Sequence, residues 1–146
     1  MPGFTFARPN LHVDGPLVDL TIRAPQLMVQ ALVAAGQPAP QALVQAVAMI
    51  DTGATSSVIT PAVAQALGLQ PVNVVPARGA VGHAAVPANV YNVDIVFPGN
   101  NVIVPNAAVL ELPLAGQNIQ ALIGRDILRH GTLIYMGYAN LYSLSF

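Results

Sequence analysis

The chain has no cysteine, no lysine and no tryptophan, and two of these absences exclude whole classes of function. Without cysteine there is no disulfide framework, no thiol nucleophile and no thiolate ligand for a metal. Without lysine, all positive charge rests on Arg8, Arg23, Arg78, Arg125 and Arg129, which are scattered singly along the chain. Nucleic-acid binders need clustered cations to displace counterions from phosphates, and binding to an anionic membrane surface needs the same. Neither is expected as a partner. Charged residues make up only 8% of the 146, against about 25% in ordinary soluble domains. That shortage predicts a surface partly covered by another chain; a sticky surface with no specific partner is the alternative. Long apolar runs are missing too, because Pro, Gly, Gln or Asp interrupts each one before the ~18 residues of a membrane span. The first ten residues lack the basic start and apolar run of a signal peptide. A soluble, intracellular chain is the expectation.

What the sequence does have is punctuation. Thirteen prolines and twelve glycines separate short runs of Val, Ile and Leu, a pattern of many short strands in a mainly β fold. Residues 17–22 and 27–33 read as strands, 36–40 as a turn and 43–50 as the returning strand. The Ala and Gln of 27–33 and 43–50 also suit helix, so periodicity leaves both runs open. One helix is signalled clearly: Thr60 as its cap, Pro61 at the first helical position, Ala-rich residues 62–67 and Gly68 as terminator. Further strands are expected at 72–75, 88–97, 102–110 and 119–123, then a second short helix from about Arg125 to Gly131. Strands at 132–136 and 141–146, turning at Gly137, close the chain. The length fits one domain over residues 17–146, preceded by an N-terminal arm (1–16) whose first ten or so residues read as flexible.

Chemistry concentrates in residues 48–57, Ala-Met-Ile-Asp-Thr-Gly-Ala-Thr-Ser-Ser. A carboxylate directly after an apolar strand is costly unless hydrogen bonds or a changed pKa support it. Gly53 lets the backbone turn tightly and approach a neighbour. Thr52, Thr55, Ser56 and Ser57 bring hydroxyls that can serve the carboxylate or the turn. The plain alternative is that Asp51 merely caps a turn or helix. About seventy residues later comes Ala-Leu-Ile-Gly-Arg-Asp-Ile-Leu, residues 121–128, whose plain reading is a strand-to-helix turn with Arg125 and Asp126 solvated. Between the two lies a glycine-bearing stretch, Arg-Gly-Ala-Val-Gly-His at 78–83, which any hairpin loop could supply.

Together, in this order and at this spacing, these motifs resemble the retropepsin-like aspartic proteases over roughly residues 17–136. The Ser-rich continuation after Asp-Thr-Gly-Ala is closer to cellular and bacterial members than to retroviral ones. The resemblance implies a single-lobe, closed, barrel-like β fold with one or two short helices. It implies Asp51 as the catalytic carboxylate, with Thr52, Gly53, Ala54 and Thr55 supporting its loop. It implies that the Ile123, Gly124, Arg125, Asp126 element threads beside that loop. It also implies that Gly79, Ala80, Val81 and Gly82 form the substrate-covering flap of a hairpin at about 77–88, freedom of the glycines being what a lid requires. His83 departs from the small residue often found beside a flap tip. Retroviral members carry an acid where this chain has Thr55, and it pairs with the arginine of the second motif. Arg125 therefore needs another partner, a backbone carbonyl or a carboxylate across a dimer.

Such proteases hydrolyse peptides with two carboxylates sharing a proton around a water molecule, a coupling characteristic of the class. The chain has one Asp-Thr-Gly; Asp14, Asp19, Asp94 and Asp126 lack that context. A homodimer with its axis between two copies of Asp51 resolves the shortage, with residues 141–146 as one candidate interface. The partners expected are then a second copy and a peptide or protein substrate. No metal or organic cofactor is implied. Two other readings compete: an inactive dimeric peptide-binding scaffold of the same fold, and an unrelated β-rich binding domain.

Overall fold

The computed structural model of the chain describes residues 2–78, 84–100 and 102–146. The flap stretch Gly79, Ala80, Val81 and Gly82, together with His83, lies outside the described residues. Strand β1 (Gly3–Ala7) is followed by a helical turn, α1 (Leu11–Asp14), and then by β2 (Leu17–Arg23). Helix α2 (Gln26–Ala34) connects β2 to β3 (Leu43–Ile50). Beyond it come β4 (Val58–Ile59), α3 (Pro61–Leu67), β5 (Asn73–Ala77), β6 (Val86–Val96) and β7 (Ile103–Glu111). The chain ends with β8 (Ala121–Ile123), α4 (Arg125–Leu128), β9 (Thr132–Met136) and β10 (Leu141–Ser145).

Seven of these strands pair in the order β2-β3-β8-β4-β7-β6-β5, and β2 pairs with β6 as well. That extra pairing joins the two ends of a six-strand ring and leaves β5 outside it, so the sheet closes into the barrel expected for a mainly β fold. Closure removes two edges that would otherwise present unpaired backbone groups. Alternation does the rest. Val18, Leu20 and Ile22 of β2 and Ala46, Ala48 and Ile50 of β3 are buried, with Val18 opposite Ala48 and Leu20 opposite Ala46. These residues meet Ile59, Val63, Leu67, Val93, Ile95 and Phe97 in one core.

Two segments depart from expectation. Residues 27–33 form helix rather than strand. β2 already pairs with β3 on one side and β6 on the other, so a strand here would have no neighbour, and its backbone groups are satisfied locally instead. Gln, Leu, Met and Ala in Gln26–Ala34 are good helix formers, which makes that solution inexpensive. The N-terminal arm is ordered, because Gly3–Ala7 pairs antiparallel with Leu141–Ser145, which in turn pairs with β9. Its anchor is aromatic: Phe4 lies 5.3 Å from Phe97, Phe97 lies 5.4 Å from Phe146, and Phe6 lies 5.7 Å from Tyr142. All four phenylalanines of the chain share this cluster. Helix α3 begins after Thr60 and ends at Gly68 as expected, but the Thr60 hydroxyl makes no capping bond.

Candidate active site

Strand β3 delivers Asp51 to the surface. The preceding Ile50 is buried and Asp51 is half-buried, while Thr52 and Gly53 are exposed. β8 lies between β3 and β4, parallel to the first and antiparallel to the second, so it runs directly under the loop joining them. The Asp51 N–H donates to the Ile123 carbonyl at 2.9 Å, continuing the β3–β8 ladder up to the carboxylate's own residue. The carboxylate accepts the Gly53 N–H at 2.8 Å through Oδ1. A Cβ on Gly53 would sit 3.0 Å from that same oxygen, so a larger residue here would press on the carboxylate and shift it by a few tenths of an ångström. Among the described residues no side-chain hydroxyl bonds to Asp51, and its other oxygen has no hydrogen-bond partner among them.

The second motif is clamped onto this loop. Arg125 N–H donates to the Ala54 carbonyl at 2.9 Å and Asp126 N–H to the Thr55 carbonyl at 3.2 Å. Gly124 N–H donates to Ser57 Oγ at 3.0 Å. The Asp126 carboxylate accepts three bonds, from Ser57 N–H (2.9 Å), Ser57 Oγ–H (2.8 Å) and Ile127 N–H (2.9 Å). Ser57 is fully buried, so these bonds replace water it cannot reach. The Arg125 guanidinium reaches back across the loop, with Nη1 donating to the carbonyls of Thr52 (2.7 Å) and Gly53 (3.1 Å) and Nη2 to Thr55 Oγ1 (3.0 Å). Gly124 is the tightest point: a Cβ there would lie 2.7 Å from the Ser56 carbonyl carbon and 2.8 Å from its oxygen.

The structure thus brings Asp51, Thr52, Gly53, Ala54 and Thr55 together with Ile123, Gly124, Arg125 and Asp126 into one hydrogen-bonded unit. Asp126 is bonded to the loop and half-buried, and Arg125 is bonded to it while remaining exposed. Arg125 takes the backbone carbonyls as partners, the first of the two options open to it. Ser57 was readable only as a general hydroxyl donor; its partner is Asp126, sixty-nine residues away. Gln120 carried no signal, yet its amide oxygen accepts the Val47 N–H at 2.8 Å and its backbone ties β3 to Thr60.

The other acids are occupied or remote. Asp94, buried, accepts Gln26 N–H and Asn106 N–H and lies 3.6 Å from Arg23 Nε. Glu111 accepts the Tyr91 hydroxyl at 2.7 Å, and that bond, with burial, raises the Tyr91 pKa above 10.0. Asp14 and Asp19 are exposed on α1 and β2. No group of three or more His, Cys, Asp or Glu residues gathers among the described residues, and no helix there is long and apolar enough to cross a membrane. An apolar hollow of about 530 Å³ lies away from Asp51, lined by Pro25, Met28, Leu32, Leu69 and Pro71 among others.

Comparison with known proteins agrees with this geometry. A family model described as aspartyl protease matches residues 29–127, which include the Asp51 loop and all of the second motif but its last residue, Leu128. Among solved structures, a retropepsin-like aspartic protease from Rickettsia conorii is similar, with a TM-score of 0.57 and 18% sequence identity. The similarity covers 98% of this chain and 89% of that one, and at that identity it speaks for the fold. No curated protein matches.

Proposed function

The chain belongs to the aspartyl protease family, and from that premise we propose that it is an endopeptidase acting as a twofold homodimer. The observation that carries this reading is the Asp51 loop itself: a carboxylate with one oxygen held by Gly53 N–H and the other open, on a loop braced from beneath by Gly124, Arg125 and Asp126. Of the chain's six acids, the other five are bonded elsewhere or lie on other elements. The second carboxylate therefore comes from a second copy, with the axis passing between the two Asp51 residues. One of the pair acts as base on a water molecule, and its protonated twin donates to the carbonyl oxygen of the scissile peptide.

In this reading Thr52 bonds across the axis, Gly53 and Ala54 line the cleft, and Thr55 supports the loop. The substrate lies extended, like an added strand. Gly79, Ala80, Val81 and Gly82 cover it as a flap, and residues 17–146 form the protease domain against which the arm packs. Close like charges cannot both ionise easily, so activity is expected on the acidic to mildly acidic side. The test is to incubate a mixed peptide library with wild type and with Asp51→Asn across acidic to neutral pH, and to read products by mass spectrometry. Cleavage by wild type alone is the expected result; cleavage by Asp51→Asn at the wild-type rate would sink the proposal.

A further inference from the structure

Among the described residues three strands pair on one side only: β1 and β9, the two edges of the order β1-β10-β9, and β5, which pairs with β6 alone. An unpaired edge presents backbone N–H and C=O groups that invite another strand, and proteins block it with proline, charge or a bulge. Two of the three edges are blocked. Strand β5 carries Pro76 in its interior, and β1 is flanked by Pro2 on one side and by Arg8 and Pro9 on the other. Strand β9, Thr-Leu-Ile-Tyr-Met, has no proline and no charge, pairs with β10 without a shift in register, and is bounded by Gly131 and Gly137. It also carries exposed apolar bulk, with Ile134 51% and Tyr135 48% exposed. An open, uncharged edge of this kind is an association surface.

A second copy of the same strand fits this edge. Antiparallel pairing of a strand with its own copy is twofold symmetric, so it closes into a pair rather than an open chain. In the full-overlap register Ile134 meets its own copy on the axis, and Leu133 faces the partner's Tyr135. Both exposed side chains of β9 then gain an apolar neighbour. The C-terminal residues expected at the interface, 141–146, instead supply the middle strand of this sheet, and its two edges are taken by β1 and β9. The same axis has to pass between the two Asp51 loops. Arg125 N–H is bonded to the Ala54 carbonyl, and Thr132 is reached from Arg125 through α4 and three further residues, a path of at most about 20 Å. The edge is near enough to the loop for one axis to serve both.

Resting on the protease reading above, we propose that β9 is the edge through which the chain dimerises, pairing antiparallel with the partner's β9 at Ile134. Two three-stranded sheets then join into one of six, in the order β1-β10-β9-β9-β10-β1, and this shared sheet holds the pair of Asp51 carboxylates together.

The test is sedimentation velocity of the full chain, which reads mass without any assay of cleavage. Wild type is expected at twice the monomer mass. Ile134→Asp and Ile134→Arg each remove the apolar contact and set like charges face to face on the axis, so each should weaken the dimer about tenfold or more. Mixed in equal amounts they set Asp against Arg, and the dimer should return, most fully at low salt. Thr5→Asp lies in the same row, Thr5, Ser143, Ile134, but two strands from the edge, and should leave the dimer intact. Melting curves check that each variant folds, which the exposure of Thr5 and Ile134 favours. A monomeric wild type, an equal mixture that stays monomeric, or a dimer lost as fully in Thr5→Asp would each overturn the proposal. Cleavage by a wild-type dimer that Ile134→Asp leaves intact would overturn it and leave the protease reading standing. A dimer with the expected charge pattern that cleaves no peptide would overturn the protease reading and leave this one standing.

Discussion

Gly124→Ala is the sharpest test of the idea that the second motif holds the catalytic loop in place. The added Cβ would lie 2.7 Å from the Ser56 carbonyl carbon, 2.8 Å from its oxygen and 3.1 Å from the Ala54 carbonyl oxygen. Carbon atoms prefer about 3.5 Å, so the loop must retreat by about 0.8 Å. All three atoms are backbone, and no side-chain rotation can absorb the shift. Overpacking of this kind costs about 1–3 kcal/mol, or a fall in melting temperature of roughly 2–12 °C for a domain this size. Activity should suffer more than stability does, because the displaced segment carries Asp51, and a ~1 Å error in a catalytic group costs about a hundredfold. The assay is kcat/KM on a cleaved peptide beside a thermal melt. Gly68→Ala is the control: Gly68 has φ 64 with nothing within 4 Å of a built Cβ, so alanine there costs about 1–2 kcal/mol of backbone strain far from the loop. A Gly124→Ala enzyme within twofold of wild type in kcat/KM would refute the reasoning.

Three further outcomes follow from the hydrogen-bond network. Asp126→Ala should destabilise by about 2–5 kcal/mol in a urea melt, because it leaves the buried Ser57 N–H and hydroxyl without their acceptor; Ser57→Ala in the same background should recover none of that loss, since Ser57 Oγ is also the acceptor of Gly124 N–H. Asp94→Ala should cost a similar amount by orphaning Gln26 N–H, Asn106 N–H and Arg23, yet leave kcat/KM of the folded fraction unchanged, since none of these touches the Asp51 loop. Tyr142, fully buried and donating its hydroxyl to the Leu17 carbonyl, has its pKa pushed up to about 12, mainly by burial. The fold keeps this phenol neutral, so its contribution is complete below the free-tyrosine value of 10.0 and is lost as pH climbs toward about 12. Tyr142→Phe should lower the neutral-pH melting temperature but flatten the alkaline decline, and an unchanged decline would contradict the assignment.

The strands and the helix 61–67 were legible because their cues are local: alternation in 17–22, proline at the first helical turn, glycine after the last. Residues 27–33 misled because a run of Leu, Met, Val and Ala satisfies both periods, and only the pairings of β2 on both sides exclude a strand there. The N-terminal arm hid its order for a related reason. Gly3–Ala7 has a strand's composition, but its partner, Leu141–Ser145, lies at the other end of the chain.

At the site, the residues alone read as a turn cap at Asp51 and a strand-to-helix turn at Gly124, Arg125 and Asp126. What pointed to these positions together was their order and spacing, through the resemblance to retropepsin-like aspartic proteases. How they act together was decided by the tertiary structure. That Arg125 grips the Thr52 and Gly53 carbonyls, that Asp126 serves Ser57, and that Gly124 is glycine because Ser56 leaves no room are consequences of β8 passing between β3 and β4. Hydrogen bonds and close contacts depend on distances of a few tenths of an ångström between residues some seventy positions apart. No local pattern encodes such distances; they exist only once the barrel has closed.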